Sequence, residues 1–216
     1  MNSALKTQTY VAKGKAPWFS NNWLDINKVI SMNKLDSGTT VACDGNVTDT
    51  TEMFRNCNEL TSIDLSNFDT SNVVYMSGMF YYCFRIDALD VSNFDTSKVK
   101  DMCYMFCHCS NLTKLDLSSL NTSNVTGMTD MFSNCYELTT LDLSNFDTSK
   151  VKYMEGMFYN CPRLTTIKGI IDMKSCKDYT SMFGSCPKLK GIKIKNPPSG
   201  FEILSGLSKS QYTVVS

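Results

Sequence analysis

Apolar positions in this chain follow two rhythms that take turns along its length. In the first, Leu60-x-x-Ile63-x-Leu65-x-x-Phe68 sets Ile63 and Leu65 between Ser62, Asp64 and Ser66, the alternation of a short strand with one buried face. It recurs at Leu89/Val91, Leu115/Leu117, Leu141/Leu143 and Ile192/Ile194. At Ile167 a Gly169 follows, which predicts a weaker strand there. In the second rhythm Val73, Met76, Met79, Phe80 and Cys83 are spaced 3, 3, 1 and 3, which predicts the apolar side of a short helix, a helical turn or a 3₁₀ segment. Asp69-Thr70-Ser71 lies just before it and suits either a helix cap or an Asx turn. A run of about ten residues is too short to hold as an isolated helix, so packing must hold it.

The two rhythms form one unit that repeats. Its mark is Met-Phe followed by Cys, at Met53-Phe54, Met79-Phe80, Met105-Phe106, Met131-Phe132, Met157-Phe158 and Met182-Phe183; the first five of these pairs lie 26 residues apart and the last step is 25. A fixed period of this length predicts stacked units, each unable to bury its apolar face alone. The expected fold is an α/β repeat solenoid, leucine-rich-repeat-like, with short parallel strands alternating with short helices or helical turns. Like residues should stack in columns, the phenylalanines in one and Cys57, Cys83, Cys109, Cys135, Cys161 and Cys186 in another. Residues 46–195 hold six repeats of 25–26 residues. Residues 1–45 read as an N-terminal capping segment, with Trp18, Trp23 and a strand-like run Ile26–Met32, and with Thr39–Cys43 as an irregular extra strand. Residues 196–216 open on Asn196-Pro197-Pro198-Ser199-Gly200, which ends regular structure; they read equally as a C-terminal cap or a truncated further repeat.

The pattern L-x-x-L-x-L-x-x-F is close to the leucine-rich-repeat signature, with Phe where many repeats carry Asn or Cys. The fuller unit, exemplified by Leu141–Leu164, LDLSNFDTSKVKYMEGMFYNCPRL, resembles the 26-residue repeat of BspA-type leucine-rich-repeat proteins, as does the leader Ala16-Pro17-Trp18 ahead of Ile26-x-x-Val29. That resemblance implies a bacterial surface or secreted protein engaged in adhesion. Spacing and composition do not themselves show a location. The segment MNSALKTQTYVAKGKAPWF lacks the continuous apolar run of a signal peptide, so a cytoplasmic location is the alternative, and no stretch reaches the length of a membrane span.

Charge changes the picture in one respect. The chain has 21 basic and 21 acidic residues, but residues 46–147 hold 14 acidic and 5 basic, a balance of −9, and residues 148–195 hold 3 acidic and 10 basic, a balance of +7. In a solenoid this becomes a long dipole, which suits head-to-tail self-association or a partner of matching polarity. The acidic stretch repels phosphate, so nucleic acid is not an expected partner. On the strand face Asp64, Asp90, Asp116 and Asp142 share one position, replaced by Lys168 and Lys193 at the end, with Ser62 beside the first and Ser66, Ser92, Ser118 and Ser144 in a parallel row. This strip is the candidate ligand-binding face; the plainer reading is a solvated face with each Asp bonded locally. Tyr75, Tyr81, Tyr104, Tyr153 and Tyr159, with Tyr82 beside them, fall mostly outside the apolar phase and are candidate exposed contacts for a protein or glycan, or covers over the seams between turns.

Candidate chemistry is sparse. The ladder cysteines point one way, a geometry poorly suited to disulfides, and read as small buried hydrophobes with free thiols. Cys103, Cys107, His108 and Cys109 form a local cluster of soft ligands, but without CxxC-type spacing or a fourth ligand no metal site is expected, and Cys103 and Cys107 read as surface thiols. There is one His and no G-x-S-x-G, phosphate loop or H-E-x-x-H. The expected function is a non-catalytic binding or adhesion module without cofactor, presenting a repeated face to a protein or glycan. The alternative is an intracellular or phage-encoded structural protein assembling head to tail through its acidic and basic ends.

Overall fold

The computed structural model describes Thr9–Ala12, Thr39–Asp44 and residues 47–216. Trp18, Trp23, the Ile26–Met32 run and the leader at Ala16-Pro17-Trp18 lie outside these residues, as does most of the expected N-terminal cap. The chain forms a parallel β-solenoid of about six turns with very little helix. Its strands are β1 (Thr9–Ala12), β2 (Thr39–Asp44), β3 (Ile63–Asp64), β4 (Phe68–Asp69), β5 (Ala88–Leu89), β6 (Lys114–Leu115), β7 (Thr140–Asp142), β8 (Thr166–Lys168), β9 (Ile170–Asp172), β10 (Ile192–Lys195) and β11 (Tyr212–Val215). All pairings among them are parallel: β1 on β2, β2 on both β3 and β4, β5 on β6, β7 on β8, and β11 on β10 on β9.

The strand half of each repeat is therefore present but broken into small sheets. Its strands are two to four residues long in the repeats. They are cut short by Asx turns: Asp64, Asp90, Asp116 and Asp142 each accept a hydrogen bond from the backbone N–H two residues on, at Ser66, Ser92, Ser118 and Ser144. The weaker strand expected at Gly169 is not found. β8 pairs over three residues, and Gly169, at φ +96, turns the chain directly into β9.

The expected helices are replaced by turns that stack into a second ladder, which corrects the α/β alternation. In each turn, alternate N–H groups bond in two directions. Those of Thr50, Glu52, Phe54 and Asn56 donate across to the carbonyls of Tyr75, Ser77, Met79 and Tyr81 in the next turn. Those of Met53, Arg55 and Cys57 donate back three residues to Thr50, Glu52 and Phe54. The same double pattern continues turn after turn, and a column of parallel bridges runs from Asp49 through Tyr75, Asp101, Gly127 and Tyr153 to Asp178. A chain of overlapping turns returns side chains to one side at intervals of three and four, as a helix does, so Val73, Met76, Met79, Phe80 and Cys83 all point inward and are buried. The Asp69-Thr70-Ser71 motif is an Asx turn rather than a helix cap, with Ser71 N–H donating to Asp69.

The predicted columns form the core. Phe54, Phe80, Phe106, Phe132, Phe158 and Phe183 stack with ring centroids 5.3–5.9 Å apart. Cys57, Cys83, Cys109, Cys135, Cys161 and Cys186 are buried free thiols. From Cys83 onward each donates to a Phe carbonyl of the preceding turn, at 2.9–3.3 Å. A third column was not singled out in the sequence. Thr70, Thr96, Thr122 and Thr148 are buried and donate to the carbonyls of Asp95, Asn121, Asp147 and Asp172 in the following turn.

The C-terminal residues continue the solenoid in altered form. Helix α1 (Phe201–Ser205) takes the place of a stacked turn, its Leu204 and Ser205 carbonyls accepting from Ser181 and Phe183, and β11 pairs with β10. Phe201 and Leu207 are buried against the last full turn, while Ile203, Leu204 and Val214 are exposed.

Candidate functional site

Two surfaces carry the side chains that the sequence marks as candidates. The first is the strip beside the short strands. Ser62, Asp64, Ser66, Asp90, Ser92, Asp116, Ser118, Asp142, Ser144, Lys168 and Lys193 are all exposed, and alternation puts them on the outer face. The carboxylates are engaged locally. Hydrogen bonds from Ser92, Ser118 and Ser144 hold Asp90, Asp116 and Asp142 below the usual carboxylate range, although Asp116 feels the repulsion of Asp90 and Asp142. Asp142 also pairs with Lys168 at 3.3 Å. The geometry is that of a solvated face whose acids are satisfied by their own turns.

The second surface follows from the turn geometry. Each stacked turn needs a left-handed residue at two positions four apart. One column is Glu52, Gly78, Tyr104, Asp130, Gly156 and Ser181, and the other is Asn56, Tyr82, His108, Asn134, Asn160 and Ser185. Gly and Asn suit such positions; a bulky L-residue there costs roughly 1–2 kcal/mol. Tyr82, Tyr104 and His108 nevertheless occupy them, at φ 63, 59 and 60.

These three rings meet two more. Tyr81 lies 4.2 Å from Tyr82 and 5.8 Å from Tyr104, Phe84 lies 5.3 Å from Tyr82, and His108 stacks on Tyr82 at 4.4 Å. The guanidinium of Arg55 sits 5.1 Å over the Tyr81 ring while pairing with Glu52 at 2.6 Å. From His108 the column passes into amides. Asn134 Nδ2 is 3.2 Å from His108 Nε2, and Asn160 Nδ2 donates to Asn134 Oδ1 at 2.7 Å. Burial lowers the His108 pKa, consistent with a neutral ring whose Nε2 accepts from the amide. Of the tyrosines expected to be exposed, Tyr75, Tyr104, Tyr153 and Tyr159 are so, whereas Tyr81 is half-buried in this cluster. Phe84 and Tyr136 are exposed as well and were missed, because the strand and turn rhythms assign no role to the residues just after the ladder cysteine.

The cysteines beside His108 do not behave as the sequence suggested. Cys107 is only 4 % exposed and so is not a surface thiol, whereas Cys103 is half-buried. Both are pushed up to about 12, Cys103 by burial and Asp101, Cys107 by burial and Asp130. Cys109 is raised by burial too. These thiols stay protonated at neutral pH, the opposite of an activated nucleophile. Among the described residues no group of three His, Cys, Asp or Glu is disposed to hold a metal. Near the C-terminal end an open cleft of about 850 Å³ is bordered by Asn160, Ser185, Lys188, Lys190 and Gln211. Among the described residues no helix is long and apolar enough to cross a membrane.

No curated protein and no solved structure matches the chain. The family model described as "Mycoplasma protein of unknown function, DUF285" matches twice, over residues 21–87 and 83–196, which together span most of the stacked turns. On that match, the chain belongs to the DUF285 family.

Proposed function

We propose that the chain is a non-catalytic binding module that presents the outside of a rigid solenoid to a protein or glycan. The observation that carries this reading is the division of labour within each turn. Core columns, ladders and Asx turns are nearly invariant from turn to turn, while bulky aromatics occupy left-handed positions that the fold fills elsewhere with Gly, Asn, Ser, Asp or Glu. The resemblance of the repeat to BspA-type proteins supports a place on the cell surface or among secreted proteins, in adhesion. The test is biolayer interferometry of the full chain against arrays of host-surface glycoproteins and glycans. Saturable binding to at least one is expected; none at micromolar protein would overturn the reading.

A second reading, head-to-tail assembly, is favoured by the change from −9 over residues 46–147 to +7 over residues 148–195. Sedimentation velocity at low and high salt, with and without reductant, tests it. A salt-sensitive, reductant-insensitive oligomer supports assembly, and a monomer under all conditions sinks it.

A further inference from the structure

The five-ring cluster on the second and third stacked turns is not required by the fold. At the positions of Tyr82 and His108 the other turns carry Asn56, Asn134, Asn160 and Ser185, and at that of Tyr104 they carry Glu52, Gly78, Asp130, Gly156 and Ser181, none of them aromatic. Side chains kept in a strained backbone where small ones suffice point to a surface role. The cluster is also chemically mixed. Tyr81, Tyr82, Tyr104 and His108 each pair a flat apolar face with a polar tip, and the column runs on into the stacked amides of Asn134 and Asn160. That leaves no dry apolar centre of the kind protein interfaces use. The charges beside it are engaged. Arg55 is paired with Glu52, and Asp130, which acts on both Tyr104 and His108, is half-buried and bonded by Ser133.

Resting on the binding-module reading, we propose that Tyr81, Tyr82, Phe84, Tyr104 and His108 form a platform for a neutral glycan. Ring faces would stack on the C–H faces of the sugar, and the phenolic hydroxyls would bond its hydroxyl groups. An uncharged phenol both donates and accepts, which complements a hydroxyl-rich, uncharged chain.

The test is saturation-transfer NMR on the full chain, irradiating aromatic protons, with cellohexaose, chitotetraose and lacto-N-tetraose as probes. Three proteins are compared: wild type, the Tyr82→Asn/His108→Asn double variant, and Ile203→Ala, which trims an exposed apolar side chain outside the cluster. Wild type and Ile203→Ala should transfer to the ring protons of at least one probe. The double variant should bind that probe at least about tenfold more weakly, with a Tm within about 4 °C of wild type, since Asn relieves the backbone strain as the ring contacts are lost. Three results overturn the proposal. Transfer that survives in the double variant refutes the platform but leaves a binding module. Transfer to none of the probes refutes the glycan, and the protein arms of the array then decide the broader reading separately. A double variant that unfolds well below wild type shows the rings to be structural props.

Discussion

Replacing Phe106 by Ala removes one ring from the middle of a continuous stack, where it is flanked by Phe80 and Phe132. The turns above and below are tied by ladder bonds and cannot close the gap, so the loss should reach about 3–5 kcal/mol by denaturant unfolding. Tyr153→Ala, at a side chain 48 % exposed, should stay within about 0.5 kcal/mol. The thiols give a prediction of a different kind. Burial raises the folded-state pKa of Cys83, Cys109 and Cys135 in the ladder, and of Cys103 and Cys107 beside it, above the ordinary 9.0, to about 12 for Cys103 and Cys107. Their contribution is therefore fully present below pH 9 and is lost as pH rises toward 12, because the unfolded chain releases those protons first. Unfolding midpoints should fall across that window, and native thiols should resist alkylation at pH 8. At this scale the core was legible in the sequence, because Phe and Cys recur unchanged in phase. The aromatic cluster was only partly so. Tyr81 and Tyr104 stood out as off-phase tyrosines, but nothing in apolar periodicity says that Tyr82, Tyr104 and His108 sit at left-handed positions.

Thr122 shows what holds one turn to the next. Its hydroxyl donates to the Asp147 carbonyl at 3.1 Å and accepts from the Asp147 N–H at 2.8 Å. Thr122→Val keeps the shape and leaves both part-buried Asp147 backbone groups without that partner, so it should cost about 1–3 kcal/mol in equilibrium unfolding. A change within about 0.3 kcal/mol would show that the threonine column fills space only. The misread element belongs to this scale. A spacing of 3, 3, 1 and 3 fits a helix and a chain of stacked turns equally, since both bring every third or fourth side chain to one side. What separates them is backbone conformation. Gly78 and Gly156 in one column, and Asn56, Asn134 and Asn160 in the other, were the available signal, because Gly and Asn recurring four residues apart suit left-handed positions and weaken a helix interior. The strands were placed correctly but are shorter than alternation implies, since the Asp-x-Ser turn follows at once.

Across the whole molecule, each turn touches only its neighbours, so stability is shared along one axis and damage in the middle should propagate. The solenoid itself was legible from the period alone, and in the tail β11 still pairs with β10. The identity of a ligand was not legible, since a repeat constrains the core it must rebuild each time and leaves outward positions free to vary. Everything proposed for the surface rests on the turns being stacked rather than helical. The most direct test is a long-range NMR experiment on deuterated protein that detects scalar coupling through hydrogen bonds. Coupling from the Phe106 amide nitrogen to the Met131 carbonyl carbon, and from His108 to Ser133, is predicted by the bonds that join those turns. Coupling instead from Phe106 to Met102 and from His108 to Tyr104 is the mark of an α-helix, and would contradict the stacked-turn solenoid.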